Sequence, residues 1–111
     1  MSGANNDASP LSCSVEARGD TAFVAPVGEL DIATAPLVDG WLADARCAGS
    51  EVLILDLRNT TFIDSTAVHL ALAWHERARC LRFRFALIEG PEAVRRVIDL
   101  AGAHPVLNFV E

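Results

Sequence analysis

An acid followed by two hydroxyl side chains, Asp64, Ser65 and Thr66, stands where an apolar strand and a polar turn give way to a helix. A serine in the first turn of a helix has an accessible hydroxyl, and the helix dipole favours a negative charge there. The position therefore suits a phosphorylated serine. Residue chemistry alone leaves a second interpretation open, in which Ser65 only caps the helix. Asp64 also has two open roles: presenting the serine or binding a partner, and bonding the backbone of a turn.

The same residues do not form a recognisable catalytic pattern. No glycine-flanked nucleophile motif surrounds Ser65, so a catalytic pairing with His69, four residues later, is not expected. His69, His75 and His104 have no metal-ligand spacing, and the chain has no glycine-rich phosphate loop. The sequence therefore predicts no catalytic residue, no metal and no cofactor.

The elements that must position these residues alternate between strands and helices. Strands are predicted at 12–17, 21–27, 52–57, 81–88 and 106–110, and helices after Thr34, from 65 or 66 to about 79, and from Glu92 to Gly102. Pro26 indicates an irregular end of the second strand. The order β-β-α-β-α-β-α-β predicts an α/β fold with a mixed, mostly parallel sheet, in which the first two strands form an antiparallel hairpin.

The second predicted helix is apolar over more than one face. One face must contact the core, and the surplus, represented by Val68 and Leu72, is either covered by neighbouring elements or available to a partner. In a parallel sheet the loops after neighbouring strands lie at the same end, so Asp31 is expected close to Ser65.

Composition limits the remaining classes of protein. A chain of 111 residues is one domain, predicted at 11–111 behind a disordered lead-in at 1–10. No apolar run is long enough for a membrane span and no signal peptide is evident, so we expect a cytoplasmic protein. The net charge of −6 argues against nucleic-acid binding and favours a basic or mixed protein partner. The three cysteines are predicted to be small buried side chains.

Two segments together carry a family resemblance. Gly28-Glu29-Leu30-Asp31-Ile32-Ala33-Thr34-Ala35-Pro36 and Leu55-Asp56-Leu57-Arg58-Asn59-Thr60-Thr61-Phe62-Ile63-Asp64-Ser65-Thr66-Ala67 resemble the STAS domain of anti-sigma factor antagonists and sulfate-transporter tails. The resemblance covers roughly residues 12 to 110. It implies that Ser65 accepts phosphate from a partner kinase, with Thr66 as second choice. It also implies a partner-binding face, to which we assign Asp31, Asp64, Ser65, Thr66, Val68 and Leu72.

The resemblance further implies a bacterial regulator and no enzyme. Unphosphorylated, such a protein binds an anti-sigma factor that is also a serine kinase, and thereby releases a sigma factor; phosphorylation ends the interaction and a phosphatase restores it. The alternative is a phosphorylation-independent STAS adaptor of a transporter or sensory complex. One residue departs from the pattern, since Ala67 stands where the family usually has glycine, and its methyl group could obstruct an approaching kinase loop.

Overall fold

The computed structural model describes residues 11–110, so the predicted disorder of 1–10 and the residue Glu111 lie outside the described residues. The elements in chain order are β1 (Leu11–Arg18), β2 (Thr21–Leu30), α1 (Ala35–Cys47), β3 (Val52–Asp56), β4 (Thr60–Ile63), α2 (Ser65–Leu81), β5 (Arg84–Ile88), α3 (Glu92–Leu100) and β6 (Phe109–Val110). The predicted α/β class is confirmed, but the predicted order lacked β4. That strand falls in the segment that was interpreted as a polar turn.

The sheet follows the order β1-β2-β3-β5-β6, with β4 paired to β2. The predicted hairpin of β1 and β2 is confirmed, and a two-residue turn containing Gly19, at a φ of +61°, joins the two strands. All other pairings are parallel. β2 does become irregular, at a register shift between Gly28 and Glu29, yet it continues to Leu30.

One buried cluster holds the strands and helices together. Alternate residues of the central strands, such as Val24, Leu55 and Leu87, contribute to it. Register places Val24 beside Leu55 and Leu55 beside Leu87, so these side chains share one face of the sheet. Trp74 of α2 is almost fully buried and meets Phe83 edge-on, with 6.2 Å between ring centroids. Burial of this apolar surface is the main force that fixes α1, α2 and α3 against the sheet.

Several boundaries and surface assignments differ from the prediction. Leu81 ends α2 and does not begin β5, because Arg82 takes a left-handed conformation (φ 63°) that terminates the helix. β6 is confined to Phe109–Val110. Cys47 and Cys80 are exposed and Cys13 is only half-buried, so the prediction of buried cysteines was wrong. No helix within residues 11–110 combines the length and apolar content needed to cross a membrane.

Candidate functional site

Parallel pairing of β2 with β4 brings the two sequence motifs together. Leu30 pairs with Ile63 at the last position of both strands, so Asp31 and Asp64 leave the sheet side by side. The chain then enters α1 from Asp31 and α2 from Asp64. The predicted proximity of the two loops is confirmed, and the strand responsible is the unpredicted β4.

Asp64 is the N-cap of α2 and also joins the two loops. Its Oδ1 accepts hydrogen bonds from the backbone N–H of Thr66 (2.9 Å) and of Ala67 (3.2 Å). Its Oδ2 accepts from the backbone N–H of Ile32 (3.2 Å), which belongs to the other loop. Both carboxylate oxygens are therefore bound to backbone. Of the two roles left open by the sequence, the structure shows the backbone-bonding one.

The loop that contains Asp31 is held by its own side chains. Asp31 Oδ1 accepts from the backbone N–H of Ala33 (3.0 Å) and of Thr34 (3.2 Å). The Thr34 hydroxyl donates to the Glu29 carbonyl (2.8 Å) and accepts from the Asp31 N–H (2.9 Å). Thr34 occupies the predicted N-cap position of α1, but its side chain makes no capping hydrogen bond there. These bonds give the loop a defined shape before any partner arrives.

Ser65 is the first residue of α2 and is exposed. Since Asp64 supplies the capping oxygen, the interpretation of Ser65 as the helix cap is wrong. Thr66 follows half-buried, with its N–H bound to Asp64. Of these two hydroxyl residues, the serine is therefore the one more open to a second protein.

Val68 and Leu72 do not extend this surface as predicted. Val68 is 2% exposed and belongs to the core, so its assignment as a partner contact was wrong. Leu72 is half-buried and packs against the core. Ala67 is also in the core, at 5% exposure, so its methyl group is covered by neighbouring side chains.

A strongly exposed apolar residue at this end of the sheet is one that the sequence analysis did not select. Ile32, directly after Asp31, is 74% exposed, and its backbone N–H is the one bound by Asp64. Phe62 of β4, which pairs with Glu29, is also exposed. The sequence did contain a signal for Ile32, because it is an apolar residue in the loop that enters a helix. A residue at such a position is not expected to reach the core.

An ion pair between a buried carboxylate and an exposed guanidinium lies at the end of β3. The carboxylate of Asp56 accepts from the Arg58 guanidinium, with Nη2 to Oδ2 at 2.8 Å, and from the Arg58 backbone N–H at 3.0 Å. These hydrogen bonds lower the pKa of Asp56 against the opposing effect of its burial. The pair fixes the turn that leads from β3 into β4, and thereby helps to position the strand that carries Asp64.

Several of the remaining titratable side chains form ion pairs near the surface, such as Arg79 with Glu76 and Arg95 with Glu89. His69 is exposed one turn after Ser65, whereas His104 contacts Glu89 and stacks on Phe109. Within residues 11–110 no group of three or more His, Cys, Asp or Glu side chains could hold a metal ion. The arrangement at Asp31, Asp64 and Ser65 thus offers one exposed hydroxyl in an acidic, preformed surface.

Three solved structures of the same fold, which represent two proteins, are similar to this chain. An anti-sigma factor antagonist from Mycobacterium paratuberculosis is 23% identical over 89% of this chain and 84% of its own, with a TM-score of 0.79. The anti-sigma factor antagonist SpoIIAA in its unphosphorylated form is 22% identical over 90% and 89%, with a TM-score of 0.74. The phosphorylated form of SpoIIAA, a Bacillus cell fate determinant, is 20% identical over 90% and 92%, with a TM-score of 0.67. At this identity the likeness shows the fold.

No curated protein sequence matches the chain. The family model described as the STAS domain does match, over residues 12–111, and this span contains every element of the fold except the first residue of β1. It also contains both loops of the site, with their acidic residues and Ser65. On this match, the chain belongs to the STAS domain family.

Proposed function

We propose that this protein is a bacterial anti-sigma factor antagonist whose binding is switched off by phosphorylation of Ser65. The observation that carries the proposal is the exposure of Ser65 at the first position of α2, beside an aspartate that already caps the helix. The serine is thus free of a structural duty. The description of structurally similar proteins as anti-sigma factor antagonists, and of one as phosphorylated, supports the same function.

In the unphosphorylated state, the acidic end of the sheet docks on an anti-sigma factor and displaces the sigma factor from it. The partner is itself a serine kinase, and it transfers the γ-phosphoryl group of ATP to Ser65 Oγ, with ADP and the hydroxyl proton as the other products. A phosphatase hydrolyses the phosphoserine and returns the free hydroxyl and inorganic phosphate. The protein is a kinase substrate and not an enzyme, and it acts in the cytoplasm, where sigma factors are found.

Phosphorylation changes the surface more than the fold. A phosphoserine adds about −1.5 to −2 charges at neutral pH, and the dipole at the start of a helix accepts that charge. The Asp64 hydrogen bonds to Thr66 and Ala67 involve backbone N–H groups, which leave the Ser65 hydroxyl free to react. The added group is nevertheless bulky and strongly hydrated, so it keeps a closely packed partner surface from seating beside Asp64 and Asp31. Losing about 3 kcal/mol of docking energy lowers affinity more than 100-fold.

Binding isotherms with the purified anti-sigma kinase of the source organism test the proposal. Ser65→Ala should bind like wild type in the absence of ATP and should remain bound when ATP is added. Ser65→Glu should bind at least tenfold more weakly, because its longer, hydrated carboxylate side chain occupies the surface on which the partner packs. Thr66→Ala is the matched control and should still be switched off by ATP.

Copurification separates this function from that of a phosphorylation-independent adaptor. An antagonist should recover an anti-sigma kinase, and the complex should dissociate on incubation with ATP. Recovery of a transporter ATPase, in a complex that Ser65→Glu leaves intact, would contradict the proposal and favour the adaptor.

A further inference from the structure

A groove of about 390 Å³ runs between the N-terminal halves of α1 and α2. One wall comes from the loop and first turn of α1, with Ile32 and Pro36, and the other from α2, with His69 and Leu70. Thr66, the residue after Ser65, also lines it. The groove therefore opens directly beside the proposed phosphorylation site, on a surface that the sequence analysis had not assigned.

Ile32 stands at the edge of this groove as a fixed apolar projection. Its side chain is 74% exposed, although its backbone N–H is held by Asp64 and the next two N–H groups are held by Asp31. An exposed apolar side chain on a mobile loop would lose conformational freedom on binding. A side chain on a preformed loop loses little, which is the property of residues that dominate interface energies.

The charge around the groove is negative. Asp39 lines it, and the Trp74 indole N–H fixes the Asp39 carboxylate by donating to Oδ1 at 2.9 Å. Asp31 directly precedes Ile32 in the chain, and Asp64 lies two residues before Thr66. The arginines of α1 and α2 are at the opposite ends of those helices, at Arg46, Arg77 and Arg79. A partner surface that complements this end is apolar at its centre and carries arginine or lysine at its rim.

On the premise that the antagonist function holds, we infer that the anti-sigma factor docks an apolar segment flanked by basic residues in this α1–α2 groove, with Ile32 as the principal anchor. The contact lies on Ile32, Pro36 and Leu70 and excludes the buried Val68. Phosphate on Ser65 would then stand beside an occupied groove, where its bulk and its hydration keep the partner from seating against Ile32 even though the partner's rim is basic.

Ile32→Ala is the direct test, measured as the dissociation constant for the purified anti-sigma kinase without ATP. We expect binding to weaken by about tenfold or more, as for other interface anchors. Leu100→Ala is the matched control, because Leu100 is 82% exposed on α3 and does not line the groove. It should change affinity by less than about twofold. Circular dichroism and urea unfolding should show both variants folded, since each residue is exposed.

Asp39→Asn tests the charge separately. The amide oxygen can still accept from the Trp74 indole, so the helix contact is kept while the negative charge is removed. We expect weaker binding at low salt and little difference from wild type at about 1 M salt, where the Debye length is only about 3 Å. An affinity that is unchanged at low salt would contradict a basic rim on the partner.

Ser65→Glu in the same assay distinguishes failure of this inference from failure of the proposed function. If Ser65→Glu weakens binding while Ile32→Ala does not, the antagonist function stands and the groove is not the docking surface. If neither variant weakens binding, both are overturned. A second copy of this chain is the other possible occupant of the groove, and sedimentation of the protein alone tests for it. A dimer that Ile32→Ala dissociates would show that the groove binds a second copy, and would overturn the inference.

Discussion

Removal of the Asp64 side chain should loosen α2 and the neighbouring loop at once, and two variants can separate these effects. Asp64→Ala deletes both capping hydrogen bonds and the bond to the Ile32 N–H. Loss of an N-cap costs about 1 kcal/mol, loss of a carboxylate from the helix dipole about 0.5 kcal/mol, and loss of a hydrogen bond to a charged group about 1.5 kcal/mol. The expected total is about 2–3 kcal/mol, because Asp64 is only half-buried.

Asp64→Asn should destabilise the protein by about 1–1.5 kcal/mol, less than the alanine variant. Its amide oxygen can still cap α2, since asparagine is as good an N-cap as aspartate. Its amide nitrogen would then face the Ile32 N–H, and two donors cannot bond to each other. The asparagine variant therefore removes the link between the loops and keeps the cap.

Urea unfolding, analysed by linear extrapolation, measures both differences. Thermal unfolding gives a second scale, on which about 1 kcal/mol corresponds to about 4–8 °C for a domain near 100 residues. Ser65→Ala is the control and should stay within about 0.5 kcal/mol of wild type, because Ser65 makes no cap. An Asp64→Asn midpoint equal to wild type would show that the bond to Ile32 contributes nothing. A midpoint equal to that of Asp64→Ala would show the same of the cap.

Two further predictions concern residues that support the site. The Arg58 hydrogen bonds lower the pKa of Asp56 in the folded protein. Their stabilisation is therefore fully present above the ordinary carboxyl pKa, near 4, and is lost as the pH falls through the lowered pKa. We expect Asp56→Asn to destabilise the protein by about 1–2 kcal/mol at pH 7 and to reduce the loss of stability that wild type shows in acid. A difference from wild type that persists undiminished at pH 2 would contradict this. Ala67→Gly should lower the free energy of unfolding in urea by about 1–2 kcal/mol, because glycine has a lower helix propensity and a buried methyl group is lost. The rate of Ser65 phosphorylation, followed by intact-mass analysis, should not rise. A faster rate would show that the methyl group had obstructed the kinase.

The strands and helices that have a strong local sequence pattern were predicted from the sequence. The strand β4, which has no such pattern, was missed. The short strand β4 has buried residues only at its two ends, Thr60 and Ile63, so it lacks the alternation that indicates a half-buried strand. Its pairing with β2 joins residues more than thirty positions apart, which no local window detects. The end of β2 was predicted too early for a related reason, since Gly28 adopts a φ of +119° and absorbs the register shift without ending the strand.

The site was predicted in its position more accurately than in its contacts. The prediction that the Asp31 loop lies at the same end of the sheet as the loop before Ser65 followed from the topology of parallel strands and is confirmed. The capping residue could not be chosen from sequence, because serine and aspartate both cap well and only the Asp64 distances decide between them. Val68 was misassigned because α2 contacts β4, β5, α1 and α3, so its buried face is wider than periodicity indicates.

The central claim is that a phosphate on Ser65, and not added charge in general, ends partner binding. Genetically encoded phosphoserine at position 65 tests it directly, with phosphoserine at the exposed Ser12 of β1 as the matched control for charge. Each protein is titrated against the purified anti-sigma kinase without ATP. We predict at least a 100-fold loss of affinity for phosphoserine 65, about 3 kcal/mol, and wild-type affinity for phosphoserine 12. Equal affinities for the two modified proteins would contradict the account.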